Sequence, residues 1–379
     1  MIPSRAWIFA ILVCWLSCTG CQGSSPGLET LSIPGPDSPD QATLTSEILI
    51  PRSPITGMPS PTAIIQPIVE QPIQEIPLSG PLNSADAQVS GLAWYGDTLV
   101  ILPQYPAWFP TQNNSASLFT LSKAEIIAYL DGSSTEPLTP GQIPFRDGGI
   151  SSHVDNFEGF EAIAFSNELI YLTIEARRNE SWLGYLISGT PGPDLTEINL
   201  NPDTLTPIPA PVDIINKSNE ALVVAGENII SLFEANGHMV NPNPTAHIFE
   251  GETLISQQIP MQSVEYRITD ATPTDENGQF WALNIFWPGE FWLFPIDDPI
   301  ADQYGEGITH AETSIVERLI KLEYSSDGIT VVDQPPVLLE LADLAHTRNW
   351  EGLALLDDLG FLIATDEFPE TILAFIPYP

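Results

Sequence analysis

One interval constrains this chain more than any other feature. Five times, a polar residue opens an apolar run, a turn follows, a second apolar run returns, and a polar residue closes the unit fourteen or fifteen residues later. The copies run from Ser90 to Gln104, Glu161 to Glu175, Glu220 to Glu234, Asp270 to Asn284 and Glu351 to Asp366. The last is longer because its turn, Asp357-Asp-Leu-Gly360, is longer. Apolar runs with a short Gly-, Asn- or Asp-containing turn between them are the signature of a β-hairpin. In a tightly turned hairpin the first residue of one strand faces the last of the other, so both polar ends of each copy are expected at the open end.

Intervening segments supply further strands, at Ser117–Leu121, Ser181–Ile187, Arg318–Tyr324 and Gly328–Val332. A helical period occurs only at Lys123–Leu130. The expected fold is all-β. Repeated four-stranded units make a β-propeller, whose innermost strands line a central channel. Five blades are favoured. The starts lie 71, 59, 50 and 81 residues apart, so six remain open, with a β-sandwich or another barrel as the alternative. Closure of the ring is expected from Ile73–Leu78 or from Leu373–Ile376.

The predicted organisation is a signal peptide over 1–20, a stalk over 21–80 and a propeller over 81–379. Arg5 precedes the apolar run Ala6–Leu16, which is too short to span a bilayer. Thr19-Gly20-Cys21 then resembles a bacterial lipobox, with Cys21 as the lipidated residue and Cys18 as the second candidate. Residues 22–80 carry 11 prolines, a composition of disordered, semi-rigid spacers. These features describe an exported, monomeric protein of the bacterial cell envelope, tied to the membrane by its N-terminal lipid. All three cysteines, Cys14, Cys18 and Cys21, lie in this leader, so the remainder can form neither a disulfide nor a thiolate metal site.

Charge narrows the partners. Against 49 acids stand only 11 Lys and Arg, for a formal charge of −38. Phosphate binding needs clustered cations, which excludes nucleic acid as a natural partner. The hairpin ends gather seven carboxylates at one channel mouth: Glu161, Glu175, Glu220, Glu234, Asp270, Glu351 and Asp366. Like charges so close must either retain protons or enclose a cation. An oxygen-only set suits Ca²⁺, with Glu161, Glu175, Glu220, Glu234, Asp270 and Asp366 as ligands. The five histidines are scattered, which argues against zinc.

Lys217, Arg267 and Arg348 each stand three residues before a repeat start. They either pair with neighbouring acids or grip an anionic group, which a guanidinium matches bidentately. As an enzyme, the mouth would use Glu351 to activate water and Arg267 and Arg348 to orient an anion. Arg177, Gln104 and Asn284 would complete the ligand site. Glu351 has a second, architectural reading, as a buried acid fixing blade register through backbone N–H groups. No Gly-x-Ser-x-Gly nucleophile motif occurs. The aromatic runs Tyr105–Phe109, Phe280-Trp281, Phe286-Trp287 and Phe291-Trp292 fit either an inter-blade core or a contact surface.

Asn349-Trp-Glu-Gly-Leu-Ala-Leu-Leu356, Phe361-Leu-Ile-Ala-Thr-Asp366 and Thr371-Ile-Leu-Ala-Phe375, with Asn156-Phe-Glu-Gly159 and Tyr266-Arg-Ile-Thr-Asp270, resemble the bacterial phytase-like, or esterase-like, β-propeller domain family. The likeness covers roughly residues 85–378. It implies hydrolysis of carboxylic or phosphate esters. Because propellers host many functions, a non-catalytic module binding a ligand, glycan or protein stands as the alternative.

Overall fold

The structure is a computed structural model. It describes residues 67–84, 87–178, 181–251, 254–293, 295–366 and 370–379. The leader, Cys18, Cys21 and most of the stalk lie outside them. Among the described residues no helix is long and apolar enough to cross a membrane.

Among the described residues twenty-two strands make five four-stranded blades with two short added strands, and a parallel pairing at Phe145–Ile198 joins the outer edges of the first two blades into one nine-stranded sheet. The short β1 (Gln74–Ile76) comes first. The first blade is β2 (Val89–Tyr95), β3 (Thr98–Pro103), β4 (Ala116–Ser122) and β5 (Gly141–Arg146). The second is β6 (Phe157–Ser166), β7 (Leu169–Arg178), β8 (Ser181–Pro191) and β9 (Ile198–Leu200), with β10 (Thr206–Ile208) added beside β8. The third runs through β11 (Asn219–Ala225), β12 (Asn228–Phe233), β13 (Thr245–Glu250) and β14 (Ile255–Pro260). The fourth comprises β15 (Arg267–Ala271), β16 (Gln279–Phe286), β17 (Val316–Ser325) and β18 (Gly328–Val331), with β19 (Val337–Leu338) beside β17. The fifth contains β20 (Trp350–Leu356), β21 (Gly360–Thr365) and β22 (Leu373–Pro377), and takes its outer strand from β1.

That exchange closes the ring. β1 lies antiparallel to β22, with Glu75 opposite Ala374, so both segments expected to close the propeller take part. The propeller therefore reaches N-terminal of residue 81, into the segment read as stalk. Glu70 extends the link, accepting from the backbone N–H groups of Thr309 and His310.

Around the axis, β2 packs on β6, β6 on β11, β11 on β15, β15 on β20 and β20 back on β2. Five hydrophobic clusters match the five blade interfaces. Val100 and Leu118 meet Phe160 and Ile163 between blades one and two. Ala162 and Tyr171 meet Leu222 and Phe249 in the next interface. The other three join blades three to four, four to five and five to one. Each large side chain buried this way contributes roughly 1.5–3 kcal/mol, so the ring is held by apolar packing between sheets. The architecture is a five-bladed β-propeller. The helix expected at Lys123–Leu130 forms, with the reciprocal Ser122–Glu125 capping box at its start.

Candidate active site

Each innermost strand carries a β-bulge, and in each the bulge falls on the residue that opens the repeat. The pairing of β2 with β3 passes from Val89 to Gly91 and skips Ser90. Glu161, Glu220 and Glu351 are skipped in the same way. In β15 the extra residue lies at Thr269-Asp270. A bulge leaves one residue unpaired and re-aims its side chain.

This corrects the expected register. Glu175 lies opposite Gly159, not Glu161, and Asn284 lies opposite Ile268, not Asp270. The backbone N–H groups of Gln104, Glu234 and Asp366 donate to Gln88, Ser218 and Asn349. In all five blades the closing residue faces the position two before the repeat start. Gly159 has φ +150°, and a Cβ there would strike Gln104. Glycine thus opens the space through which Gln104 Nε2 reaches Glu161 Oε1 at 3.1 Å.

The acids converge on Arg267. Its Nη2 lies 3.2 Å from Glu351 Oε1 and 3.3 Å from Glu220 Oε2, and its Nε bonds Glu234 Oε1. Its Nη1 donates to Asn349 Oδ1 at 3.0 Å. Lys217, also buried, lies 3.1 Å from Glu234 and 2.7 Å from Glu290. Arg267 and Lys217 thus place two positive charges among the carboxylates. Burial would raise the Glu234 carboxyl, but the Arg267 and Lys217 charges hold it below its ordinary value.

Protons neutralise much of the rest. Burial, with Asp366 and Glu234 nearby, pushes the Glu351 carboxyl up to about 8, although Arg267 and the Asn349 amide pull the other way. Burial beside Glu234 raises Glu175 to about 7, against the Ser218 hydroxyl and Lys217. Burial and the Glu175 and Glu351 charges raise Glu161, and burial beside Glu234 raises Glu220.

Glu351 and Asp366 form a pair. Asn349 Nδ2 donates to Glu351 Oε1 at 2.7 Å and to Asp366 Oδ2 at 3.2 Å. One amide therefore tethers carboxyls from β20 and from the end of β21, and both side chains remain partly reachable. Glu351 keeps 12% of its side-chain surface.

The architectural role considered for Glu351 belongs instead to Asp270. Asp270 Oδ2 accepts the Leu353 N–H at 2.6 Å and Oδ1 its neighbour's at 2.8 Å. A third N–H comes from Leu92 of the first blade. Burial raises this carboxyl well above its ordinary value, with the three N–H groups opposing. Asp270 thus ties blades four, five and one together across the axis.

Other expected residues stand elsewhere. Arg348 turns away from the mouth: its Nη2 lies 2.7 Å from Glu317 Oε2, its own N–H bonds the same carboxylate, and its guanidinium covers Trp350. Asn284 is fully buried, bonding the Glu265 and Arg267 carbonyls and Arg318 Nε. Arg177 is half exposed, with Glu158 at 3.8 Å. Oxygen donors suit Ca²⁺, but the Glu220, Glu234 and Glu351 oxygens turn to Arg267, not to a shared centre. Among the described residues no three acidic, His or Cys side chains are set to hold a metal ion.

The aromatic runs divide. Phe280, Trp281 and Phe286 are core. Trp108, Trp287, Phe291 and Trp292 are exposed. Trp108 stacks on Tyr105 at 4.4 Å, and the Tyr105 hydroxyl is raised by burial and by Glu161, Glu158, Glu175 and Asp366. Glu290, between Trp287 and Phe291, bonds Lys217, so this second aromatic group also borders the mouth. Glu290 and Asn349 were not singled out from sequence. Glu290 belongs to no repeat, while Asn349 holds the facing position created by the bulge.

No family model matches the chain, and no curated protein matches it in sequence. Solved structures resemble it in overall chain path. One belongs to the GH130 family of mannoside phosphorylases, at 9% identity over 84% of this chain and 92% of that one, with a TM-score of 0.43. An exo-1,5-α-L-arabinanase from a bovine ruminal metagenomic library matches at 9% over 79% and 94%, with 0.42. A glucose dehydrogenase matches at 10% over 79% and 99%, with 0.43.

Proposed function

We propose that the acidic mouth is the active site of a hydrolase that cleaves a neutral, hydroxyl-rich substrate of the glycoside class by carboxyl acid–base catalysis. The observation that carries this is Glu351. Its carboxyl keeps a proton up to about pH 8 while still reachable, and one amide binds it and Asp366 together. Two carboxyls flanking a scissile bond, one holding a proton and one free of it, are the requirement of glycoside hydrolysis.

Glu351 donates its proton to the leaving-group oxygen as the glycosidic C–O bond breaks. Asp366, held close to Glu351 by the shared amide nitrogen, attacks the sugar carbon as that bond breaks, and a water that gives its proton to Glu351 then displaces Asp366 from the sugar and restores both groups. Asn349 and Arg267 fix the pair. Trp108 and the Trp287–Trp292 group supply aromatic faces on which sugar rings stack. On the reading of the leader, this activity belongs to the bacterial cell envelope.

Ester hydrolysis, suggested by the family resemblance, uses the same two carboxyls on a neutral carboxylic ester. Phosphate esters fit less well, because Arg267 and Arg348, the cations assigned to an anion, are both engaged by carboxylates. The exposed aromatics also favour a second reading, a glycan-binding propeller without turnover.

The test is hydrolysis of aryl glycosides, aryl carboxylic esters and aryl phosphates by the full chain, with Ca²⁺ and with chelator, beside Glu351→Gln and Trp108→Ala. Glycoside turnover lost in a folded Glu351→Gln protein, with a raised KM in Trp108→Ala, supports the proposal. Turnover confined to esters moves the assignment to an esterase. Glycan binding without turnover establishes the binding module.

A further inference from the structure

The channel does not keep one character along its length. Below the Asp270 tie, on the side of the hairpin turns, lies a cavity of about 270 Å³. All five innermost strands line it, through Leu92, Ile163, Leu222, Ala271 and Leu353. None of these carries a charge, so the lower channel is apolar where the upper mouth is acidic. Asp270 separates the two, because its carboxyl bonds the backbone N–H groups of Leu92 and Leu353 at the roof of the cavity. A concave site with apolar walls and a few polar groups at its opening takes up apolar chains.

Polar groups gather toward the opening. Trp281 is buried in the wall, whereas Lys321, Asp275 and Tyr378 are partly or well exposed. Lys321 is the one cation among the lining residues. Its ammonium lies 5.7 Å from the centre of the Trp281 ring and 3.8 Å from Asp275 Oδ2. The second distance is long for a charge-assisted hydrogen bond, which leaves the ammonium able to bind another anion.

We propose that the lower channel binds an amphiphile, with an apolar chain among the five strands and an anionic carboxylate head at Lys321. A medium-chain fatty carboxylate has this chemistry. The site is separate from the acidic mouth and does not depend on its function.

Binding of hexanoate, octanoate and decanoate to the full chain is measured by calorimetry, with decanol as the headless control. Each added methylene is expected to tighten binding about fourfold until the cavity is full. Lys321→Gln, a change at a partly exposed side chain, is expected to weaken decanoate about threefold to fivefold and leave decanol unchanged. Ala354→Phe, which fills the cavity, is expected to abolish both. Three results would overturn the proposal: no decanoate binding, affinity independent of chain length, or equal weakening of decanoate and decanol by Lys321→Gln. If Ala354→Phe fails to fold, the chain-length series and Lys321→Gln still decide.

Discussion

Replacing Glu351 with Gln is expected to make the protein more stable at alkaline pH while removing the proposed acid. The carboxyl rises from an ordinary 4.5 to about 8 in the folded protein. The native state therefore holds a proton that the unfolded chain releases. The stabilisation from that proton is complete below about pH 4.5 and is lost as pH climbs to about 8, at about 1.4 kcal/mol per pH unit. Over the whole window this amounts to about 3–5 kcal/mol. Glutamine keeps the neutral shape at every pH. Its carbonyl replaces Oε1, the atom bonded by Asn349 and Arg267, and its N–H stands in for the carboxyl O–H. Urea unfolding at about pH 5 should give the two proteins similar stability. At about pH 8 the variant should be more stable by several kcal/mol. A constant difference at both pH values, or a variant weaker at pH 8, would refute the claim that Glu351 is folded in its protonated form.

Removing Arg267 works in the opposite sense. Arg267→Met leaves Glu220, Glu234 and Glu351 without their shared cation, a loss of about 3–5 kcal/mol near pH 8. The loss should shrink near pH 5, where protons replace the guanidinium, and urea titrations at the two values check this. Asp270→Ala orphans three backbone N–H groups from three blades and should cost about 3 kcal/mol or more. Thermal unfolding measures it, and a change under about 1 kcal/mol would contradict the tie across the axis.

The sequence carried the repeat, and with it the propeller, because strand and turn signals act over a few residues. Four of the five repeat-opening residues are acids, and all of those acids do reach the channel. The register was harder to see. A bulge adds one residue without a composition of its own, so Glu161 and Glu175 read as partners when Gly159 holds that place. The fate of the cations was hidden for a different reason. Lys217, Arg267 and Arg348 occupy equivalent positions, yet Arg348 follows Glu317, a residue from the neighbouring blade. Only the assembled ring reveals that competitor. Strand β1 lies within Ile73–Leu78, a segment expected to close the ring, yet the domain boundary was drawn after it at residue 81, because three strand residues in a proline-rich segment do not shift the composition.

The central claim is that the mouth stores protons on its carboxyls, with Glu351, which keeps 12% of its side-chain surface, as the proposed donor. The most direct measurement is a titration of the side-chain carboxyl carbons in ¹³C-glutamate-labelled full chain, beside Glu351→Gln. A resonance that titrates near pH 8 in the native protein and is missing from the variant is the expected result. If every glutamate resonance has finished titrating by about pH 6, the mouth is held by ion pairs alone and the proposed proton donor does not exist.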